Sequence, residues 1–210
     1  DREFLQPFAP QAKIEVVPNI HALHGRGKRF AERSGLMFIG SFLHRPNRDA
    51  VFYFLDEIFP RVLEKIPDAR LHIIGSDAPP EIFARNSENV RVEGFVPDAA
   101  PFFENCRVFV APLRYGAGMK GKIGQALSYG LPTVTSAVGA EGINLRNGRE
   151  ILLADKPLSF AEAVVKVYRT ESLWQELSDG GYRFIEENYS PRVIETKIAA
   201  LLNGAVKSRR

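Results

Sequence analysis

Short, uninterrupted apolar runs alternate with longer segments whose apolar residues recur at helical spacing, from Leu36 almost to the end of the chain. The runs LMFIGS (36–41), LHIIGS (71–76), VRVEGF (90–95), VFVAPL (108–113), PTVTSAV (132–138) and EILLA (150–154) are each predicted as strands. After the first, Val51, Phe54, Leu55, Ile58, Phe59, Val62, Leu63 and Ile66 draw one helical stripe, with Asn47 as the expected N-cap and Pro67 beyond its end. Short helices are predicted near 80–84 and over 99–105, another after a glycine-rich loop, and three more near 157–169, 171–187 and 191–203. Strands that are apolar throughout, rather than alternating, belong to sheets covered on both faces. The pattern therefore predicts an α/β fold: a parallel sheet with helices on both faces and extra helices at the C-terminus. In such sheets ligands bind at the carboxyl ends of strands.

The first part of the chain reads differently. Ile14–Val17 is a short strand candidate closed by Pro18-Asn19, and HALHGRGKRFAERSG (21–35) has no clear period and reads as a linker carrying His21 and His24. The expected organisation is 1–34 as the end of a preceding domain plus linker, 35–205 as a compact domain and 206–210 as a tail. His72, inside a strand, is expected to be a packing residue.

Composition removes several classes. The chain has 210 residues, 45% of them hydrophobic, enough to bury a sizeable core. With 28 basic and 25 acidic residues the net charge is +3, too mild to imply nucleic-acid binding. The basic clusters at 26–33 and 207–210 read as solvated segments. One cysteine, Cys106, excludes an intramolecular disulfide and a cysteine metal cluster; beside the run 108–111 it is expected to be buried. No segment has the length of a membrane span and no signal-peptide pattern stands at the N-terminus, so the expected location is cytoplasmic.

The candidate chemistry lies in PLRYGAGMKGKIGQALSYGLP (112–132), where a glycine-rich loop leaves an apolar strand and a helix begins. Lysines in a first helical turn oppose the macrodipole, and no Ser, Thr, Asp or Asn stands between Gly116 and Gly121 to cap the free N–H groups. Bare donors with added lysines suit a bound anion, most simply phosphate. The letters also match G-x-G-x-x-G at Gly116, Gly118 and Gly121, with Glu141 as a ribose acid, but that fingerprint belongs after the first strand of its unit and this loop follows the fourth. They match G-x-x-x-x-G-K as well, although Ile123 replaces the Ser or Thr that would hold Mg²⁺. A plain glycine turn with exposed lysines is the remaining reading.

Several pieces in order then carry a resemblance: VVPN (16–19), FIGSFLHRPNRDAV (38–51), LHIIGS (71–76), VEGFVPD (92–98), VFVAPLRYGAGMKGKIGQALSYGLPTVTS (108–136) and GAEGI (139–143). Together they resemble the C-terminal, donor-binding domain of GT-B glycosyltransferases of the group 1, or family-four, kind, from about Ile14 to Leu202. The resemblance implies a Rossmann-like domain, one half of a GT-B fold, that binds a nucleotide diphosphate-sugar and takes part in sugar transfer to an acceptor hydroxyl. It also implies that the donor is a substrate, with no separate cofactor or metal; no D-x-D motif is present. The acceptor pocket and catalytic residues would belong to a missing N-terminal domain, which would also provide any membrane association. Ile14–Val17 would be that domain's last strand.

The family marks its donor site with two glutamates eight positions apart, where this chain carries Ala117 and Gln125. Gln125 keeps an acceptor for ribose; Ala117 offers the sugar no side-chain contact. By resemblance, the donor-facing residues are Gly40, Arg45, Phe95, Val96, Gly116, Gly118, Met119, Lys120, Lys122 and Gln125: backbone at 118–120 and both lysines toward the diphosphate, with Phe95 and Val96 near the base. His44 shares the place of Arg45. The alternatives are a nucleotide-binding or scaffold module without turnover, and an NAD-type domain.

Overall fold

Strands form at the apolar runs, but each is shorter than its run. They are β1 (Leu36–Ile39), β2 (Leu71–Ile74), β3 (Val90–Gly94), β4 (Val108–Ala111), β5 (Thr133–Thr135) and β6 (Leu152–Leu153), in a computed structural model that describes residues 2–12 and 14–207. Neighbours pair in parallel throughout, in the order β3-β2-β1-β4-β5-β6. Most of the residues lost from the predicted runs turn away at the carboxyl edge; Pro132 and residues 150–151 are lost at the amino end. Ser136, expected inside a strand, caps helix α7 (Ala137–Ala140) by accepting from the Gly139 N–H at 3.0 Å.

Side chains alternate across the sheet and are buried on both sides, as the continuous apolar runs require. Leu36, Phe38, Leu71, Ile73, Val108 and Val110 join one core with α2 (Arg45–Tyr53), α3 (Phe59–Lys65) and α8 (Pro157–Arg169). Met37, Ile74, Phe109 and Ala111 join the other with α5 (Ala100–Asn105), α6 (Gly121–Ser128) and Ile185 of α9 (Glu171–Asn188). The short helices α1 (Arg2–Leu5) and α4 (Pro80–Phe83) complete the set, and α10 (Pro191–Lys207) closes the described chain; of the expected tail, residues 208–210 lie outside the described residues.

The predicted helix from Asn47 to Ile66 is corrected in two ways. It starts at Arg45, with Pro46 in its first turn, so Asn47 is buried inside the helix rather than capping it. Its middle, Phe54–Ile58, is a π-helical turn in which the Phe59 N–H bonds back to the Phe54 carbonyl. Pro60 explains the widening: it has no N–H for the Asp56 carbonyl, and its ring would clash there in a regular α-turn.

Two readings of the N-terminal segment also change. Ile14–Val17 forms no ladder, having no neighbour at either edge of this sheet. The basic segment 26–33 is not wholly solvated. Arg33 is fully buried and donates to the carbonyls of Arg26 (2.7 Å), Lys28 (2.7 Å), Phe103 (2.7 Å) and Cys106 (3.0 Å), with its guanidinium 5.3 Å from the Trp174 ring. Five fork-shaped donors let an arginine go inside where carbonyls converge, and burial lowers its pKa to about 10. Cys106 is buried as expected. His72 packs edge-on against Phe102 and meets Glu93 through Nδ1 at 2.9 Å.

Candidate functional site

Strands β1 and β4 are adjacent, but their following helices cover opposite faces: α2 on one, α6 on the other. The two loops therefore diverge and open a crevice at the carboxyl ends, the switch point where open α/β sheets take ligands. The cavity is about 310 Å³, lined by His44, Pro46 and Asn47 on one lip and by residues from Leu113 to Lys122 on the other. Across the lips, Arg114 donates to both carboxylate oxygens of Asp49 in α2 through Nε (2.8 Å from Oδ2) and Nη2, and stacks 4.7 Å from the Tyr53 ring.

On the far lip no side chain caps the start of α6 at Gly121. Gly116 and Gly118 hold positive φ (129° and 74°), conformations that strain other residues. Lys120 occupies the N-cap position and folds back: its Nζ donates to the carbonyls of Gly116 (3.1 Å) and Gly118 (2.6 Å) and lies 3.3 Å from a Glu141 carboxylate oxygen. Its ammonium therefore ties the loop closed, and Glu141 is bound to that lysine.

Lys122 turns the other way, into the crevice. Its Nζ donates to Oδ1 of Asn47 and stands 4.6 Å over the Phe38 ring. Burial, with a smaller contribution from Lys120, lowers its pKa to about 8. Gly40 lies directly beneath: a Cβ there would come within 2.7 Å of Lys122 Nζ and 2.6 Å of Asn47 Nδ2.

The other expected residues lie on the flanks. Gln125 faces a separate concavity of about 500 Å³ on the far side of α6, walled by residues 19–22 and His24. Gly118 and Met119 also border a third, of about 590 Å³, with Val16–Asn19 and Glu141-Gly142. Segment 16–24 thus runs past the loop, pinned by the His21 N–H to the Tyr189 carbonyl (2.9 Å) and the His24 N–H to the Ser128 carbonyl (3.1 Å). The His24 ring stacks on Tyr129 at 4.2 Å, and Tyr129 on Phe103 at 4.8 Å. Both histidines, expected as simple linker residues, are anchors. Arg45, exposed at the start of α2, Phe95, exposed beyond β3, and half-buried Val96 are not in the crevice wall.

Asn47, expected only as a helix cap, and Tyr115, not singled out at all, both line the crevice. The signal for Asn47 was Pro46, a residue suited to a first helical turn, which moves the helix start upstream and turns the asparagine inward. Tyr115 carries no comparable signal. Among the described residues no group of three or more His, Cys, Asp or Glu could hold a metal ion.

Comparison with known proteins places these features in a wider set. The family model described as "Glycosyl transferases group 1" matches residues 33–170. The capsular polysaccharide biosynthesis glycosyltransferase CapM of Staphylococcus aureus is 26% identical over 180 residues, covering 81% of this chain and 47% of its own length. A 44.6 kDa protein from the cps region of Klebsiella pneumoniae is 22% identical over 172 residues, covering 78% and 44%. The chain thus spans a little under half the length of these curated relatives. Among solved structures, S. aureus TarM, in a complex that includes UDP, superposes with a TM-score of 0.80 at 18% identity over 96% of this chain and 42% of that one. The C-terminal domain of the group 1 protein LpcC from Francisella tularensis superposes with a TM-score of 0.62 at 13% identity, over 82% of this chain and 96% of that one. At such identities the structural matches establish the fold: a Rossmann-like half of the GT-B architecture.

Proposed function

The chain belongs to the group 1 glycosyltransferases, and on that premise we propose that it is the donor-binding half of such an enzyme. The crevice between β1 and β4 takes the diphosphate of a nucleotide-sugar, whose sugar passes to an acceptor hydroxyl. One observation carries this reading: an uncapped helix start and the half-buried ammonium of Lys122 converge on the switch-point crevice, opposite the amino end of α2. Negative charge that grows on the departing diphosphate meets donors already in place, which lowers the barrier without reorganisation. Lys120 contributes by holding the loop in shape. UDP is the first nucleotide to test, because TarM and the pneumococcal transferase GtfA, which superposes with a TM-score of 0.73, were solved with it.

The rest of the transferase belongs to the same proposal. Val16, Val17, Ile20, Leu43, Phe95 and Tyr115 are large, apolar and exposed in segment 16–20 and in loops after β1, β3 and β4. They suit a covering N-terminal domain that supplies the acceptor pocket and catalytic residues. No cofactor beyond the donor is invoked, and the proposed setting is the cytoplasm; among the described residues no helix is long and apolar enough to cross a membrane.

A binding module without turnover is the second reading, favoured by the methyl group of Ala117 in the crevice wall and by the neutral Gln125. A thermal-shift series with UDP, GDP, ADP and their sugars tests binding: at least one diphosphate should raise the melting temperature, and Lys122→Met should abolish the shift. No shift at millimolar concentrations would sink the donor-binding reading. Gln125→Glu separates the alternatives, since a large gain in nucleotide affinity marks a decayed site. The chain alone is expected to transfer little sugar, and appreciable turnover contradicts the division between two halves.

A further inference from the structure

The partner that holds Lys122 in the crevice is unusual for a half-buried ammonium that the crevice partly strips of water. Buried cations are commonly met by carboxylates, whereas Lys122 donates to the carboxamide of Asn47, which is itself 7% exposed. The orientation of that amide follows from its two neighbours. Nδ2 faces the Ser41 carbonyl at 2.7 Å, which only accepts, and Oδ1 faces the Lys122 ammonium, which only donates. Ser41 lies in the loop that leaves β1 and Asn47 in the first turn of α2, so the amide links the near lip of the crevice to the helix of the far lip. The absence of a side chain at residue 40 leaves the two side chains room to meet.

We propose that Asn47 is a positioning residue for the anion site: its neutral carboxamide aims the Lys122 ammonium into the crevice without cancelling its charge. This rests on the reading of the crevice as a diphosphate site. An aspartate of the same shape would orient the lysine equally well but would occupy its charge, leaving little attraction for an incoming diphosphate. With alanine the ammonium would lose its fixed acceptor and keep only the Phe38 ring face. Around Lys122 stand Phe38 of β1, Gly40 just after it, Asn47 in α2 and Lys120 on the β4 loop, and His44 and Tyr115 line the same cavity. Lys120 is a further cation already engaged by Glu141 and two carbonyls.

The test measures inorganic pyrophosphate binding by calorimetry from pH 6.5 to 9.5, for the unaltered chain and for Lys122→Met, Asn47→Ala, Asn47→Asp and Gly40→Ala, with a urea melt of each. Pyrophosphate's own protonation is common to every protein and cancels in the ratios. At pH 7 the expected loss is about tenfold or more for Lys122→Met and Asn47→Asp and about fivefold for Asn47→Ala, for a charge-assisted contact removed or weakened. The pH at which affinity declines should fall in Asn47→Ala, which removes an acceptor from the charged amine, and rise in Asn47→Asp. Gly40→Ala perturbs the same contact with Asn47 intact and should weaken binding too, so the idea is testable even where one Asn47 variant folds poorly. If Lys122→Met loses binding while the folded Asn47 variants keep unaltered affinity and pH profile, the positioning role is overturned and the anion site stands. If the unaltered chain binds no pyrophosphate at millimolar concentration, the anion site falls and this inference with it.

Discussion

Replacing Lys122 with methionine should change how stability depends on pH, by an amount that follows from the site. Burial lowers the pKa of the Lys122 amine from an ordinary 10.5 to about 8 in the folded chain. Between those values the folded protein holds fewer protons than the unfolded one, so stability rises with pH across the window. A fall from 10.5 to about 8 corresponds to about 3 kcal/mol, a penalty nearly complete at pH 7 and reduced to about 1 kcal/mol by pH 9.5. The unaltered chain should therefore gain about 2 kcal/mol over that interval relative to Lys122→Met. Methionine also leaves Asn47 Oδ1 without its donor, at a cost of about 1–3 kcal/mol, but this term is the same at both pH values and cancels. Urea unfolding followed by the fluorescence of Trp174, the single and buried tryptophan, reads the difference directly. Parallel pH profiles for the two proteins, within about 0.5 kcal/mol, would refute the claim that the fold holds a desolvated ammonium in this crevice.

Three further outcomes follow from the packing. Arg33→Leu should destabilise the chain by about 3 kcal/mol or more, because four carbonyls lose their donor, and Arg33→Lys should not restore it; urea midpoints at pH 7 test both. Gly75→Ala would put a Cβ 1.9 Å from the Gly40 carbonyl oxygen, a backbone clash between the ends of β2 and β1. It should cost about 3 kcal/mol and lower soluble yield, and an unchanged melting temperature would contradict the register of those strands. Cys106, with its thiol pushed up to about 12 chiefly by burial, should resist a thiol-specific disulfide reagent at pH 8 until urea unfolds the chain. Rapid labelling of the native protein would contradict its placement.

Much of the frame was legible because it depends on local pattern. Apolar runs in register with turn residues located all six strands, and the helical stripe from Val51 to Ile66 located the helix after β1. The ends were less legible. A strand stops where its neighbours stop, which is why 132–138 shrank to Thr133–Thr135 once Ser136 found a helix to cap. The π-turn ahead of Pro60 was readable in principle, since the missing N–H is a property of that residue alone. Arg33 was misread because a run of basic residues says nothing about carbonyls gathered from Phe103 and Cys106, about 70 positions along the chain.

For the candidate site the division is sharper. The sequence by itself determined the uncapped, glycine-rich start of α6, its two lysines and the lack of carboxylates at Ala117 and Gln125, because these are matters of residue type and short spacing. Only the tertiary structure decided what the two lysines do. Pairing β1 with β4 brings Asn47 next to Lys122, 75 positions away, and turns that lysine inward, while Lys120 closes on its own loop and on Glu141. The two side chains are identical in charge and two residues apart. What separates them is which strand lies beside β4, and strand order is a long-range outcome of burying both faces of one sheet.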